Sequence, residues 1–273
     1  MDTKAKKIVI ILIYLALFVF IISGIYSFLT PKETCFDGIK NQNEEDVDCG
    51  GACAKSCDKI EAEDLIIEKT GIVPAGIAGK YDFYAQVNNP NAAFGSERFE
   101  YAASLKNSAE EILASVSGSG FILPGEKKYI IENNIDASES PAVADLKIVS
   151  SDWVKFNDYY AKPEIKIINK NYSEISGGVG FSEAKGLLKN DSPYDFDSIK
   201  IIVILKDSEG SVLGLNSTVM KTVESGEERD FKASWPSHFP GTVGNMEAQP
   251  EVNIFDSDTF LKRYYQSHKF QQY

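Results

Sequence analysis

The sequence predicts a mainly β chain: two tandem β-sandwiches carried behind one N-terminal transmembrane helix. Three observations predict it. An uncharged apolar run lies near the start, four cysteines crowd directly behind it, and from about Glu61 onward short alternating stretches recur after roughly 100 residues.

The apolar run comes first. Ile8 to Leu29 holds 22 residues without a charged side chain, preceded by the basic stub 1–7 with Lys4, Lys6 and Lys7. As a helix it spans about 33 Å, slightly more than the ~30 Å hydrocarbon core of a bilayer. A cleaved signal peptide has an apolar region of about 7–15 residues and a small-x-small cleavage site. Here the only small pair, Ser23-Gly24, lies inside the run and is followed by Ile25, Tyr26 and Phe28. A lipid-modified cysteine is disfavoured as well, because Cys35 follows Pro31-Lys32-Glu33-Thr34 rather than a box of small residues. The lysines before the run and the acidic stretch after it orient the chain with its N-terminus in the cytoplasm and everything after Thr30 outside.

Cys35, Cys49, Cys53 and Cys57 all fall within 30–60, a segment whose few large apolar residues include Phe36, Ile39 and Val47. So little apolar surface closes no core without cross-links, and two disulfides in an oxidising compartment are the expectation. Four cysteines allow three pairings, and spacing does not choose among them. Zinc is the rival, but structural zinc sites favour Cys-x2-Cys, and here the gaps are 13, 3 and 3 residues. Between the first two cysteines lie Asp37, Asn41, Asn43, Glu44, Asp46 and Asp48, oxygen ligands of the kind calcium takes. They lack the alternating order, central Gly and closing Glu of an EF-hand loop, so a solvated acidic loop competes with a calcium site.

The pattern Cys35-x-Asp37-Gly38, Asp48-Cys49-Gly50-Gly51-x-Cys53 and Cys57 resembles a short cysteine module of bacterial and archaeal surface and secreted proteins. That resemblance implies an extracytoplasmic address and names no ligand.

Beyond Glu61, Tyr81, Phe83, Ala85 and Val87 alternate, as do Phe99, Tyr101, Ala103 and Leu105. Alternation buries one face of a strand. Ile199 to Leu205 is nearly continuous in apolar residues, which a central strand needs, and Pro124-Gly125 and Ser225-Gly226 supply turns. Repetition sets the domain count. Leu105-Lys106-Asn107-Ser108 matches Leu205-Lys206-Asp207-Ser208, Gly125-Glu126 matches Gly226-Glu227, and Asn89 matches Asn190. Ser151-Asp152 with Tyr159-Tyr160 matches Ser257-Asp258 with Tyr264-Tyr265. The expectation is two immunoglobulin-like units, 61–160 and 161–273. The end match makes the basic, aromatic tail from Lys262 a final strand with a short overhang.

The second unit resembles the FxLYD family through Gly186-Leu187-Leu188-Lys189-Asn190, Val203-Ile204-Leu205-Lys206-Asp207-Ser208-Glu209-Gly210 and Gly226-Glu227-Glu228-Arg229-Asp230-Phe231. Val203 and Lys206 stand where the family name has Phe and Tyr. The first unit, through Val87-Asn88-Asn89-Pro90-Asn91 and Phe94-Gly95, is similar to the late-embryogenesis-abundant type 2 sandwich. These resemblances imply immunoglobulin-like sandwiches with extracytoplasmic binding or stabilising roles, and bring no catalytic residues.

Composition narrows the chemistry. A net charge of −12 opposes phosphate-backbone binding, so nucleic acid is not an expected partner. His238 and His268 are the only histidines, and neither sits in a nucleophile or metal motif. Asn171, Asn190 and Asn216 open Asn-x-Ser/Thr sequons and are glycosylation candidates on expected exposed segments. The function expected is non-enzymatic: a single-pass anchored protein, held in the lipid bilayer by 8–29, that binds or scaffolds an envelope protein or glycan. The alternative is a carboxylate-dependent hydrolase acting on envelope polymers, which requires a deep cleft holding two acids.

Overall fold

Apolar residues recurring at every second position form strands, and the computed structural model holds twelve of them with one short 3-10 helix among the residues it describes. Those are residues 13–15, 17–22, 34–37, 40–41, 43–45, 47–55, 57, 62–156, 162–177 and 180–262. The chain divides into two compact units, Met1–Lys59 and Ile60–Tyr273. In the first, residues 13–15 and 17–22 are helical and exposed, from Ile22 at 49% to Phe20 at 77%. Among the described residues no helix is long and apolar enough to cross a membrane, and the remainder of the expected span 8–29 lies outside them.

The second unit is mainly β. Its first six strands are β1 (Ile66–Pro74), β2 (Lys80–Asn88), β3 (Phe94–Lys106), β4 (Ile112–Ile122), β5 (Lys127–Asp136) and β6 (Val143–Lys155). The next six are β7 (Ile165–Glu174), β8 (Ser182–Asn190), β9 (Phe196–Lys206), β10 (Val212–Val223), β11 (Glu228–Trp235) and β12 (Asn245–Glu251). All pairings are antiparallel, and the sheets run β1-β2-β5, β4-β3-β6, β7-β8-β11 and β10-β9-β12. Adding six to each strand of the first two sheets generates the last two.

Each pair of sheets encloses a core. Phe83, Ala85 and Val87 of β2 meet Phe99, Ala103 and Leu105 of β3, all at most 1% exposed. In the second half Ala184 and Leu188 of β8 face Ile199, Ile201, Val203 and Leu205 of β9, with Phe231 and Trp235 of β11 filling the remainder. A third cluster joins the halves: Val73, Tyr84 and Ile131 pack on Ile202, Ile204 and Leu215. The outer face of β1-β2-β5 therefore lies on the outer face of β10-β9-β12, giving four stacked sheets. That contact explains the nearly unbroken apolar run of β9, which has a core on both sides.

Turn chemistry repeats with the strands. Asn107 Oδ1 accepts from the amides of Ala109 and Glu111 between β3 and β4, and Asp207 Oδ1 accepts from those of Glu209 and Ser211 between β9 and β10. Gly125 and Gly226, at φ +61° and +78°, take the left-handed turn position before β5 and β11. Each is followed by a glutamate whose Oε2 accepts from the amide three residues earlier, Leu123 or Glu224.

Two expectations need correction. Ser151 is paired with Phe99 inside β6, whereas Ser257 caps the 3-10 helix Ile254–Asp256, so this end match is not structural. Tyr159, Tyr160, Tyr264 and Tyr265 lie outside the described residues. The strand equivalent to β6 is β12, which ends at Glu251, and residues 258–262 are helical, so Lys262 opens no final strand; 263–273 lie outside the described residues.

Candidate functional site: the cysteine module, the sequons and the sheet surfaces

In the first unit, Cys35 bonds Cys53 and Cys49 bonds Cys57, with Cα–Cα separations of 5.6 and 4.9 Å. This selects one of the three pairings and leaves no free cysteine, which removes a four-thiolate zinc site. Sulfur atoms of Cys35 and Cys53 lie within 4.8 Å of a Glu44 oxygen, but both belong to a disulfide and offer no thiolate to a metal.

The acidic residues between the cysteines serve the backbone. Asp37 Oδ2 accepts from Thr34 N and Asn41 Nδ2, Asp48 Oδ1 from Asp37 N, and Glu44 Oε2 from the amides of Asn41 and Asp48. Carboxylates used this way order a loop too polar to build a core. Asn43 and Asp48 take positive φ of 61° and 57°, a conformation Asn and Asp tolerate better than bulkier residues. Glu44 is buried, and its Oε1 lies 3.1 Å from the Cys53 sulfur, which carries no hydrogen to donate. Asn41 Oδ1 is buried without a hydrogen-bond partner among the described residues. Asn43 is exposed, and Asp46 lies outside the described residues.

The sequons separate into three cases. Asn171 is exposed on β7. Asn216 is half-buried on β10, and its Nδ2 donates to Ser234 O at 2.8 Å. Asn190 is 0% exposed, which corrects its placement on an exposed segment. Its Nδ2 donates to Tyr194 O and Glu224 O, while Oδ1 accepts from Ser192 N and Oγ. An amide nitrogen with both hydrogens engaged in a core is no glycan acceptor. Asn89, the equivalent at 1% exposure, donates to Phe94 O and Leu123 O and accepts from Asn91. The sequon at Asn190 thus serves as a structural corner; the match with Asn89 was visible in the sequence and pointed to it.

Across the contact between halves, Lys128 of β5 meets Glu251 of β12 at 2.8 Å, donates to Phe121 O and stands 3.8 Å from the centroid of the Phe121 ring. Tyr129 N donates to Gln249 Oε1, and Gln249 Nε2 returns a bond to Lys127 O. Nearby, burial raises the pKa of Asp82 despite hydrogen bonds from Asn134 N and Asn133. Burial, reinforced by the neighbouring Glu132 carboxylate, pushes the Tyr101 phenol up; it donates to Glu132 at 2.6 Å.

The described surface offers one cleft gathering three acids, Glu97, Asp152 and Asp256, beside Arg98, Ser119 and Phe255. All three acids are solvent-exposed. His238, which sequence left without a role, stacks on Phe181 at 3.8 Å between ring centroids. His268 lies outside the described residues.

No protein-family profile matches the chain, and no curated protein does. Among solved structures the chain is similar to the calcium-binding domain CBD12 of CALX1.1, at 11% identity and a TM-score of 0.21. That alignment covers 77% of this chain and 88% of the other. A likeness so slight carries no argument about ligand.

Proposed function

We propose that this chain is a single-pass, membrane-anchored extracytoplasmic protein whose two tandem immunoglobulin-like sandwiches bind or scaffold an envelope protein or glycan. The observation that carries it is the succession of an uncharged run at 8–29 and, directly behind it, two disulfides formed by all four cysteines. Disulfides persist where the compartment is oxidising, and a helix apolar all round needs lipid or protein around it. The exposed apolar side chains from Ile13 to Ile22 support the lipid assignment. The resemblance of the second half to the FxLYD family and of the first to the late-embryogenesis-abundant type 2 sandwich supports a binding role. The repeated strand order supports the tandem arrangement.

Alkaline extraction of membranes from producing cells, followed by thiol alkylation without reductant, tests the reading. The expected result is protein retained in the membrane pellet with no cysteine alkylated. Release into the supernatant or four reactive thiols would overturn it.

Calcium on the acidic loop is a second reading. Two oxygens favour it: Asn41 Oδ1, buried without a hydrogen-bond partner among the described residues, and Glu44 Oε1, which lies against the Cys53 sulfur. Calorimetric titration with calcium should give heat with the wild type and none with Glu44→Gln. Identical flat traces for both would remove it.

A further inference from the structure

Sheet edges are templates for other strands, and proteins ordinarily guard them with charge, proline, bulges or covering groups. Most edges here follow that rule. β6 exposes Asp145 and Lys147, β1 exposes Glu68 and Lys69 and ends in Pro74, and β7 carries an irregularity between Ile168 and Asn171. β4 has an irregularity at its start, between Ile112 and Ala114, but from Ala114 to Ile122 it has neither a charge nor a proline.

Its counterpart β10 shows what is missing. Trp235 Nε1 donates to Leu215 O, and the Arg229 guanidinium donates to Lys221 O and Thr222 O, so side chains occupy carbonyls along that strand. On β4 the Lys128 ammonium holds Phe121 O. Among the described residues no side chain donates to a carbonyl between Ile112 and Gly120.

We propose that β4 is the edge through which two copies of this chain pair, antiparallel about a two-fold axis at Ser117, extending β6-β3-β4 across both copies. Two arguments select a second copy as the occupant. Each chain carries a net charge of −12, so identical chains approach at least electrostatic cost along an uncharged strand. The strand is also self-complementary, as a two-fold interface requires. Centred on Ser117, Ser115 falls opposite Ser119, Val116 opposite Gly118 and Ala114 opposite Gly120, and the register keeps the exposed serines on one face. The glycines have their own cause within one copy: a Cβ at Gly118 would lie 2.4 Å from the Tyr101 ring, and one at Gly120 2.8 Å from that of Phe99. Ile112, 65% exposed at one end of the strip, gains cover from the other copy. The pairing does not depend on the membrane assignment.

The test uses the full chain in detergent. Every native cysteine is in a disulfide, so Ser117→Cys adds a single reactive thiol. Directly opposed residues have Cα atoms about 4.5–5.5 Å apart, within disulfide reach. Diamide should convert this variant to a covalent dimer, while Ser150→Cys on exposed β6 should form no covalent dimer. Ser117→Lys should weaken the dimer by about tenfold or more in sedimentation, because it places like charges opposite each other, while its thermal midpoint at concentrations where both proteins are monomeric stays unchanged. A wild type monomeric in the same detergent, absence of the cross-link, capture of a different protein at Ser117→Cys, or undiminished dimer in Ser117→Lys would overturn the proposal. Self-association through 8–29 alone leaves that last variant dimeric and so counts against it.

Discussion

Asn190→Ala is the substitution with the clearest cost. The wild-type side chain is fully buried and makes four hydrogen bonds: to Tyr194 O at 2.8 Å, to Glu224 O at 2.9 Å, and from Ser192 N at 3.1 Å and Oγ at 2.6 Å. Ser192 Oγ can turn toward Tyr194 O, 3.5 Å away, and recover part of the loss. The remaining groups lose partners where water has little access. At about 1 kcal/mol per bond, with about 1–3 kcal/mol for a stranded buried group, the loss is about 3–5 kcal/mol. That is a large share of the roughly 5–15 kcal/mol holding a typical domain. Urea unfolding followed by tryptophan fluorescence reads it as a lower midpoint at unchanged slope. Asn190→Asp keeps the acceptors and removes both donors, so at neutral pH it should be comparably damaging. Asn171→Ala, on the exposed side of β7, should move stability by less than about 0.5 kcal/mol. A cost of less than about 1 kcal/mol for Asn190→Ala, or a glycan at Asn190 in native protein, would refute the corner role of this side chain.

Three further outcomes follow from the contact between halves and from the cysteine module. Lys128→Met leaves Glu251 without its closest cation, with Lys200 at 3.9 Å as partial compensation, and should cost about 3 kcal/mol; Lys128→Met/Glu251→Leu should recover most of it in the same denaturation assay. Asp82 has a folded pKa raised by burial, so its contribution to stability is present below the unfolded pKa and lost as pH rises through the folded one. Asp82→Asn should therefore gain thermal stability over wild type at pH 7, and the gain should vanish below the ordinary carboxylate range; a constant difference across pH would reject the sign. Reducing both disulfides should open 35–57 to limited proteolysis, because each bridge restrains that segment by about 2–4 kcal/mol; equal resistance before and after reduction would reject this role.

Much of the β architecture was legible because strands advertise their period. The sets beginning at Tyr81 and Phe99 alternate and lie on β2 and β3, each central in its sheet. The offset linking Asn89 to Asn190 and Gly125 to Gly226 marks equivalent turns, since both copies need the same polar atoms at the same corners. The end match misled for a physical reason. Past β12 the second half departs into a 3-10 helix, and Ser-Asp pairs are common enough to recur without a shared role. Disulfide pairing was not legible, because pairing depends on loop geometry and the spacing permits every combination. Asn190 passed as a sequon because the tripeptide says nothing of burial.

The halves repeat in sequence order, yet their outward faces are not interchangeable. The buried contact joins β1-β2-β5 to β10-β9-β12, which are non-equivalent sheets, so the same contact applied again would build an open stack. The end surfaces lack the apolar side chains that the buried contact uses. Where β9 presents Ile202 and Ile204, β3 presents Ala102 and Ser104; where β2 presents Tyr84, β8 presents the exposed Lys185. Terminal repeats with polar outer faces are how stacked architectures remain soluble. Giving the inner sheet the residues of the outer one, Ile202→Ala with Ile204→Ser, should therefore undock the halves. Each truncation removes a side chain at most 1% exposed, at about 2–5 kcal/mol per site. Most of that loss falls on the contact between halves, because these two side chains face Tyr84, Val73 and Ile131 rather than the core around Ile201 and Val203. Calorimetry should then resolve two unfolding transitions. A single transition at the wild-type midpoint would mean that the apolar contact does not couple the halves, and that the polar bridges around Gln249 and Lys128 suffice.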